Sequence, residues 1–219
     1  MKSVLFVSTF LLLFNCSTEL VDTWKNPEIS SYQPSKVLVI GMTSNMEARY
    51  QFENQLKEEL NMRSSEATTS LEFFDPSVLN EKMIETEMIA LENKLLSEGY
   101  DTVLITKVIG VEDKIRYKRN YKGFDQTYKK FGEDYLMHQD IYYNPDYYED
   151  YTVYHTETSM YCICPGKERE LIWKGYVDMT EPQNTEKVIE EYVKLIILVV
   201  EEDQLLAPLD QMQKSEDSI

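Results

Sequence analysis

The sequence is short of the residue types that most catalytic and metal sites need. It has 219 residues but only two histidines, three cysteines and seven glycines. His138 and His155 are not at zinc-finger spacing from any cysteine. Neither a G-x-S-x-G nor an H-E-x-x-H motif occurs. The sequence therefore predicts a protein that is not an enzyme and holds neither a metal nor a cofactor, apart from the covalent lipid discussed below.

Positive charge is also scarce. The chain has 22 Lys and Arg against 39 Asp and Glu, which gives a formal net charge of −17. Because Lys and Arg contacts to phosphate dominate affinity for nucleic acid, a nucleic-acid partner is not expected. The same charge disfavours adsorption onto anionic lipid, so membrane association is expected to depend on a lipid anchor alone.

Phosphate-binding loops are missing. The turn Gly41-Met42-Thr43-Ser44 follows an apolar run and precedes a helical pattern, which is where an anion site would form. It matches neither G-x-G-x-x-G nor G-x-x-x-x-G-K-[ST], so nucleotide binding is not expected.

No apolar run is long enough to span a bilayer, which takes roughly 20 residues. The run Val4 to Phe14 is shorter, follows Lys2 and ends just before Cys16. This arrangement resembles the bacterial lipoprotein signal, which predicts a signal peptide over residues 1–15 and a lipid on Cys16. Ser17 in place of Asp favours the outer membrane. The alternatives are an ordinary cleaved secretory signal and a buried N-terminal strand.

The remaining chain is predicted to form one domain. The polar residues 16–35, with Pro27 and Pro34, are interpreted as a tether that contains a short candidate strand or docking segment at Val21–Trp24. Residues 36–202 are the domain, and the polar residues 203–219 are a tail.

Apolar periodicity predicts the order of elements in that domain. Strands are expected at Lys36–Met42, Leu71–Phe74 and Asp101–Val111, with helices between them. The first helix is expected to begin with Ser44 as N-cap, to reach Arg63, and to bury Met46, Tyr50, Phe52, Leu56 and Leu60. The second is expected to begin at Asp75 and to end before Gly99.

The second half predicts a hairpin and a closing helix. The two strands of the hairpin are predicted at Tyr151–Cys164 and Glu170–Met179. The closing helix is expected to bury Val188, Ile189, Tyr192, Val193, Ile196, Val199 and Val200. The predicted class is α/β, with α+β as the alternative, built on a mixed sheet of about five strands in the order β-α-β-α-β, hairpin, helix.

Eleven of the sixteen tyrosines lie between Tyr117 and Tyr161, mostly in an insertion at about 118–150 that is poor in aliphatic residues. Tyrosine gives a large, rigid contact surface with a hydrogen-bonding tip. A surface for an envelope protein or a glycan is therefore predicted at Tyr142, Tyr143, Tyr147, Tyr148 and Tyr151. The alternative is that these side chains only pack the insertion onto its own sheet.

Two cysteines remain besides Cys16. Cys162 and Cys164 are two residues apart on a predicted strand, so both side chains lie on one face. They are interpreted as small core residues, with a disulfide or pairing to another chain as the alternatives.

Several short motifs together resemble a group of small bacterial envelope lipoproteins that carry a domain of unknown function. The motifs are V-D-T-W-K-x-P (Val21 to Pro27), K-V-L-V-I-G (Lys36 to Gly41), D-T-V-L-I-T (Asp101 to Thr106) and L-I-W (Leu171 to Trp173). The resemblance implies a fold similar to the N-terminal domain of the periplasmic Tol-system translocation protein and to accessory lipoproteins of transport systems. It brings no catalytic residues.

The sequence thus predicts a lipid-anchored, periplasm-facing outer-membrane protein that acts as a non-catalytic binding or accessory component of an envelope complex. A periplasmic module that binds a glycan or a small ligand is the alternative, and a hydrolase is less favoured.

Overall fold

A mixed β-sheet organises the residues that the structure describes. This computed structural model describes residues 18–75, 82–117, 148–164, 170–180 and 185–209. The strands there are β1 (Thr18–Lys25), β2 (Lys36–Met42), β3 (Glu66–Thr69), β4 (Thr102–Tyr117), β5 (Tyr148–Cys162) and β6 (Glu170–Thr180). The helices there are α1 (Met46–Asn61), α2 (Ser70–Phe73), α3 (Glu85–Ser97) and α4 (Thr185–Glu202).

The six strands lie in the order β1-β6-β5-β4-β2-β3. β2 is parallel to its neighbours β3 and β4, and the pairs β4–β5, β5–β6 and β6–β1 are antiparallel. The predicted α/β class and the order β-α-β-α-β, hairpin, helix are confirmed for the part from β2 onward. The sheet has one strand more than the five predicted, because β1 joins its edge.

The parallel strand β2 is buried on both faces, as its apolar β-branched sequence predicts. Val37, Leu38 and Val39 have no exposed surface. Val37 and Val39 pack in the core beneath α1 and α4, whereas Leu38 packs with Leu95 of α3 on the other face. The helices therefore cover both faces of the sheet around β2.

The closing helix α4 is confirmed as the main cover of one face. The seven residues predicted to be buried are all buried: Val188, Ile189, Tyr192, Val193, Ile196, Val199 and Val200. The stretch 195–200 would suit a strand by itself, but it continues a helical period and stays helical.

The start and the buried face of α1 differ from the prediction. Asn45, not Ser44, is the N-cap, and its Oδ1 accepts a hydrogen bond from the backbone N–H of Ala48 at 3.1 Å. Met46 and Tyr50 are exposed instead of buried, at 53% and 59%. The buried face includes the charged Glu53, which a search for apolar residues overlooks.

The short strand predicted at Leu71–Phe74 is wrong. Those residues belong mostly to α2, and the strand β3 comes just before them. Thr69 and Glu72 form a capping box, in which each side chain binds the backbone N–H of the other residue, and this starts a helical turn. The single helix predicted from Asp75 to Gly99 is not continuous, because residues 82–84 are not helical; α3 begins at Glu85 and ends at a turn where Gly99 has φ of +84°.

The tether predicted over residues 16–35 needs correction. Thr18 to Lys25 form the edge strand β1, whose first residue Thr18 is buried and pairs with Met179 of β6. The segment after β1 packs across the end of the sheet, where Tyr32 shares a 2.7 Å hydrogen bond with Thr102. Most side chains of the edge strand β1 are exposed, so its sequence resembles that of a polar linker.

The polar tail predicted from residue 203 also begins inside the core. Leu205 is fully buried and Leu206 is 2% exposed, and both belong to the main core cluster. Asp203 accepts a 2.8 Å hydrogen bond from the indole N–H of the buried Trp173. The domain therefore extends past the predicted boundary at residue 202. No helix in the described ranges is long and apolar enough to cross a membrane.

Candidate functional site

A cleft of about 450 Å³ opens at the carboxyl-terminal end of the parallel pairing between β2 and β4. It lies between the first turns of α1 and α4, over the central strands of the sheet. Open α/β sheets bind ligands at the carboxyl ends of their parallel strands, and the volume lies within the roughly 300–1,000 Å³ of small-molecule sites. Its lining comprises Gly41, Met42, Thr43, Ser44, Asn45, Ala48, Phe52, Thr106, Lys107, Val108, Tyr154, Thr156, Met179, Thr185, Val188, Ile189 and Tyr192.

The floor of the cleft carries hydroxyl groups that satisfy one another. Thr158 shares 2.6 Å hydrogen bonds with both Thr106 and Tyr192, and Thr156 donates to the carbonyl of Val177 at 2.7 Å. Burial raises the pKa of Tyr192 above its ordinary value, so its phenol stays protonated. These groups therefore act as a satisfied polar floor and not as a base.

The walls are mostly apolar, although the polar residues Thr43, Ser44, Asn45 and Thr185 also line the cleft. Phe52 of α1 and Ile189 of α4 both line the cleft, and both are largely buried. At the mouth, Met42 and Val108 are exposed at 58% and 41%. Exposed apolar side chains grouped around a concave site are typical of surfaces that bind apolar ligands, and methionine adapts readily to different shapes. The cleft is therefore suited to a ligand with an apolar body.

A buried carboxylate holds the turn that forms one wall. Glu53 has no exposed surface, and its oxygens accept hydrogen bonds from the backbone N–H of Gly41 at 2.8 Å and of Leu71 at 3.2 Å. Ser70 donates to it at 2.6 Å and Arg49 at 3.0 Å. The network ties the end of β2 to α1 and α2, so it fixes the backbone that borders the cleft.

Glu53 was missed in the sequence, although one signal was available. Arg49 and Glu53 are four residues apart on α1, which is the spacing of a helical ion pair. That spacing is usual for exposed pairs, so it does not by itself indicate a buried network. A Cβ at the nearby Gly41 would lie 3.1 Å from the ring of Phe52, so that ring would have to shift by a few tenths of an ångström to accommodate it.

On the opposite face of the sheet, Glu157 lies between two lysines. Its Oε1 is 2.8 Å from the Lys107 ammonium and 3.1 Å from that of Lys174, and Ser159 donates to it at 2.8 Å. Burial alone would raise the pKa of Glu157, but the hydrogen bonds from Lys107, Ser159 and Lys174 outweigh burial and lower it to about 2.

We expect Glu157→Gln to lower the free energy of unfolding by about 2 kcal/mol at pH 7. Because the pKa of Glu157 is about 2 in the folded chain and 4.5 for an unperturbed glutamate, its stabilisation is complete above pH 4.5 and is lost as pH falls towards 2. Urea denaturation at pH 7 and pH 3 measures this, with the exposed Glu66→Gln as control. A Glu157→Gln difference that did not shrink at pH 3 would contradict it.

His155, the histidine within the described residues, lies beside two carboxylates at the edge of this face. Nδ1 of His155 lies 2.6 Å from a carboxylate oxygen of Asp178, and Nε2 lies 3.6 Å from Glu112. No group of three or more His, Cys, Asp or Glu side chains within the described ranges could hold a metal ion.

Four of the eight predicted site residues lie outside the described residues. These are Cys16, Tyr142, Tyr143 and Tyr147. Tyr148 begins β5, but only its backbone is described. Tyr151 is half-buried on β5 opposite Lys114 and does not line the cleft, whereas Tyr154, three residues further along, does. The proposed tyrosine surface thus stays a prediction.

The other cysteines lie at the far end of the sheet from the cleft. Cys162 and Cys164 form a disulfide, with their Cα atoms 5.3 Å apart. Cys162 is buried and pairs with Thr102 at the start of β4. The disulfide therefore borders the core at the start of β4 and takes no part in the cleft.

Neither a protein-family model nor a curated protein sequence matches this chain. Among solved structures, it is similar to PelC from Paraburkholderia phytofirmans, a dodecamer, with 12% identity over 86% of this chain and 98% of that chain and a TM-score of 0.40. It is also similar to lipoprotein GNA1162 from Neisseria meningitidis, with 12% identity over 77% of this chain and 99% of that chain and a TM-score of 0.41.

Proposed function

We propose that this protein is a non-catalytic binding component of the bacterial cell envelope, anchored in the outer membrane through a lipid on Cys16, whose cleft takes a ligand with an apolar body. The N-terminal signal pattern supports the location. The observation that supports binding is the apolar cleft between α1 and α4, with Met42 and Val108 exposed at its mouth.

The chemistry of the cleft favours binding over catalysis. The phenol of Tyr192 is protonated and its hydroxyl neighbours are already paired with one another, so activating a nucleophile would require breaking these hydrogen bonds. Lys107 reaches the lining, but its ammonium is paired with Glu157 on the other face. The protein therefore holds its ligand without transforming it.

A charge placed at the mouth is expected to weaken this binding. Anilinonaphthalene sulfonate fluoresces in apolar sites, so it can be titrated into the soluble chain that begins at Ser17 and keeps every described element. Val108→Glu is expected to weaken the saturable binding at least about tenfold, because a carboxylate at the rim must be desolvated when the cleft fills.

The matched control is Leu198→Glu. Leu198 is an equally apolar and half-exposed side chain on α4 that does not line the cleft. It is expected to bind the dye as the parent chain does, and thermal unfolding of each variant verifies folding. Equal dye affinity in the parent, Val108→Glu and Leu198→Glu chains would remove the cleft as the binding site.

A further inference from the structure

The position of β1 sets how close the predicted lipid must lie to the cleft. Thr18 is paired with Met179, and Met179 lines the cleft. Cys16 precedes Thr18 by two residues, and two residues of fully extended chain span at most about 7 Å. A lipid on Cys16 therefore starts beside the cleft, with no long spacer between the acyl chains and the folded domain.

This distance is comparable with the thickness of the polar region of a bilayer. The headgroup region on each side of the hydrocarbon is roughly 5–8 Å thick, from a total of about 40–45 Å and a core of about 30 Å. Acyl chains on Cys16 that lie in the hydrocarbon would hold Thr18 and Met179 at the level of the headgroups. The cleft then lies within reach of the lipids of that leaflet.

Several exposed apolar side chains lie at this same end of the sheet, and two of them, Met42 and Val108, line the cleft. Leu20 of β1 pairs with Val177 of β6. Val177 also pairs with Thr156 of β5, and Thr156 pairs with Val108 of β4. Leu20 and Val108 therefore lie in one row across the sheet. Val111 lies in the row of Thr18 and Met179. The apolar rim is defined as Leu20, Met42, Val108, Ile109 and Val111, and these side chains are 38–59% exposed.

We infer that the apolar rim faces the bilayer and that the cleft takes an acyl chain of a phospholipid from the leaflet in which the protein is anchored. The inference rests on the proposed function, because it names the ligand of the same cleft. The net charge of −17 opposes adsorption to anionic lipid, so the contact is apolar and does not need an anionic headgroup. The connection from Cys16 to β1 is thus short, and residues 16–35 do not act as a long tether.

The test uses the full chain, purified from membranes and reconstituted in phosphatidylcholine vesicles that contain a phospholipid with a photoreactive diazirine in its acyl chain. Illumination is expected to give a protein–lipid adduct, located by mass spectrometry on residues of the cleft or of the apolar rim. Val108→Glu is expected to lower the adduct yield about tenfold and Leu198→Glu to leave it unchanged. Palmitate labelling reports whether Cys16 carries the lipid.

A second variant tests whether the short connection between Cys16 and β1 is needed. A spacer of twelve Gly and Ser residues between Ser17 and Thr18 adds roughly 17–21 Å of mean reach, which dilutes the lipid around the cleft. The adduct yield is expected to fall about threefold or more, with the fold unchanged.

The outcomes separate the two proposals. An adduct absent from the cleft, an unlabelled Cys16, or a spacer without effect would overturn the inference about the bilayer. If the soluble chain still binds anilinonaphthalene sulfonate in a manner sensitive to Val108→Glu, the binding function stands with another apolar ligand. If dye binding and lipid adduct are both missing, both proposals fall.

Discussion

Replacing Glu53 by alanine is expected to lower the free energy of unfolding by about 3–5 kcal/mol, because removing one partner of a buried ion pair leaves the other uncompensated. Four donors converge on this carboxylate, from Gly41, Arg49, Ser70 and Leu71. Arg49 would keep only Ser70 among the partners described here. Two backbone N–H groups would lose an acceptor in a site closed to water.

Urea denaturation of the parent and variant chains measures this effect. Glu47→Ala is a control on the same helix, since Glu47 is exposed and binds only the neighbouring Gln51 in the network described here, so a change within about 0.5 kcal/mol is expected. Because Glu53 fixes the turn after β2, its loss is also expected to weaken dye binding in the cleft. A Glu53→Ala loss below about 1 kcal/mol would show that the network contributes little.

Leu205→Ala is expected to cost about 2–5 kcal/mol of unfolding free energy, although Leu205 stands in what the sequence presents as a tail. Leu205 is fully buried in the main core, and the truncation would leave a cavity there. Leu198→Ala provides a matched leucine on α4 that is 51% exposed, and its expected cost is within about 0.5 kcal/mol. Similar losses for the two variants in thermal or urea unfolding would refute the assignment of Leu205 to the core.

The elements that the sequence predicted well are those with a strong apolar period. β2 is apolar on both faces, and α4 places apolar side chains on one face over several turns. These patterns need only local information. They were sufficient for the α/β class and for most of the element order.

The features that the sequence did not predict have a common physical cause, because each depends on contacts with distant parts of the chain. Only Val21–Trp24 of β1 was predicted as a candidate strand, and the full strand Thr18–Lys25 forms because β6 offers an edge. Glu53 is buried because donors from two other parts of the chain, the end of β2 and α2, meet it, and Leu205 is buried because the chain turns back after α4. None of these contacts leaves a periodic signal in the sequence.

The cleft was only partly foreseeable. The sequence indicated the turn after β2 as a place where a site could form, and it excluded the known nucleotide-binding patterns there. The other walls come from β4, β5, β6 and α4, whose convergence depends on the strand order. The position of Met179 next to the start of β1 likewise appears only once the sheet is assembled.

The most direct test of the central claim is to map the ligand site by NMR on the soluble chain that begins at Ser17. Backbone amide shifts would be followed while decanoate, a short free acyl chain, is titrated in. We expect saturable shifts that cluster at Gly41 to Asn45, at Thr106 to Val108 and at Tyr154 to Thr156, the backbone that lines the cleft. Shifts confined to other parts of the chain, or none at concentrations below the micelle limit, would contradict the claim that this cleft is the binding site.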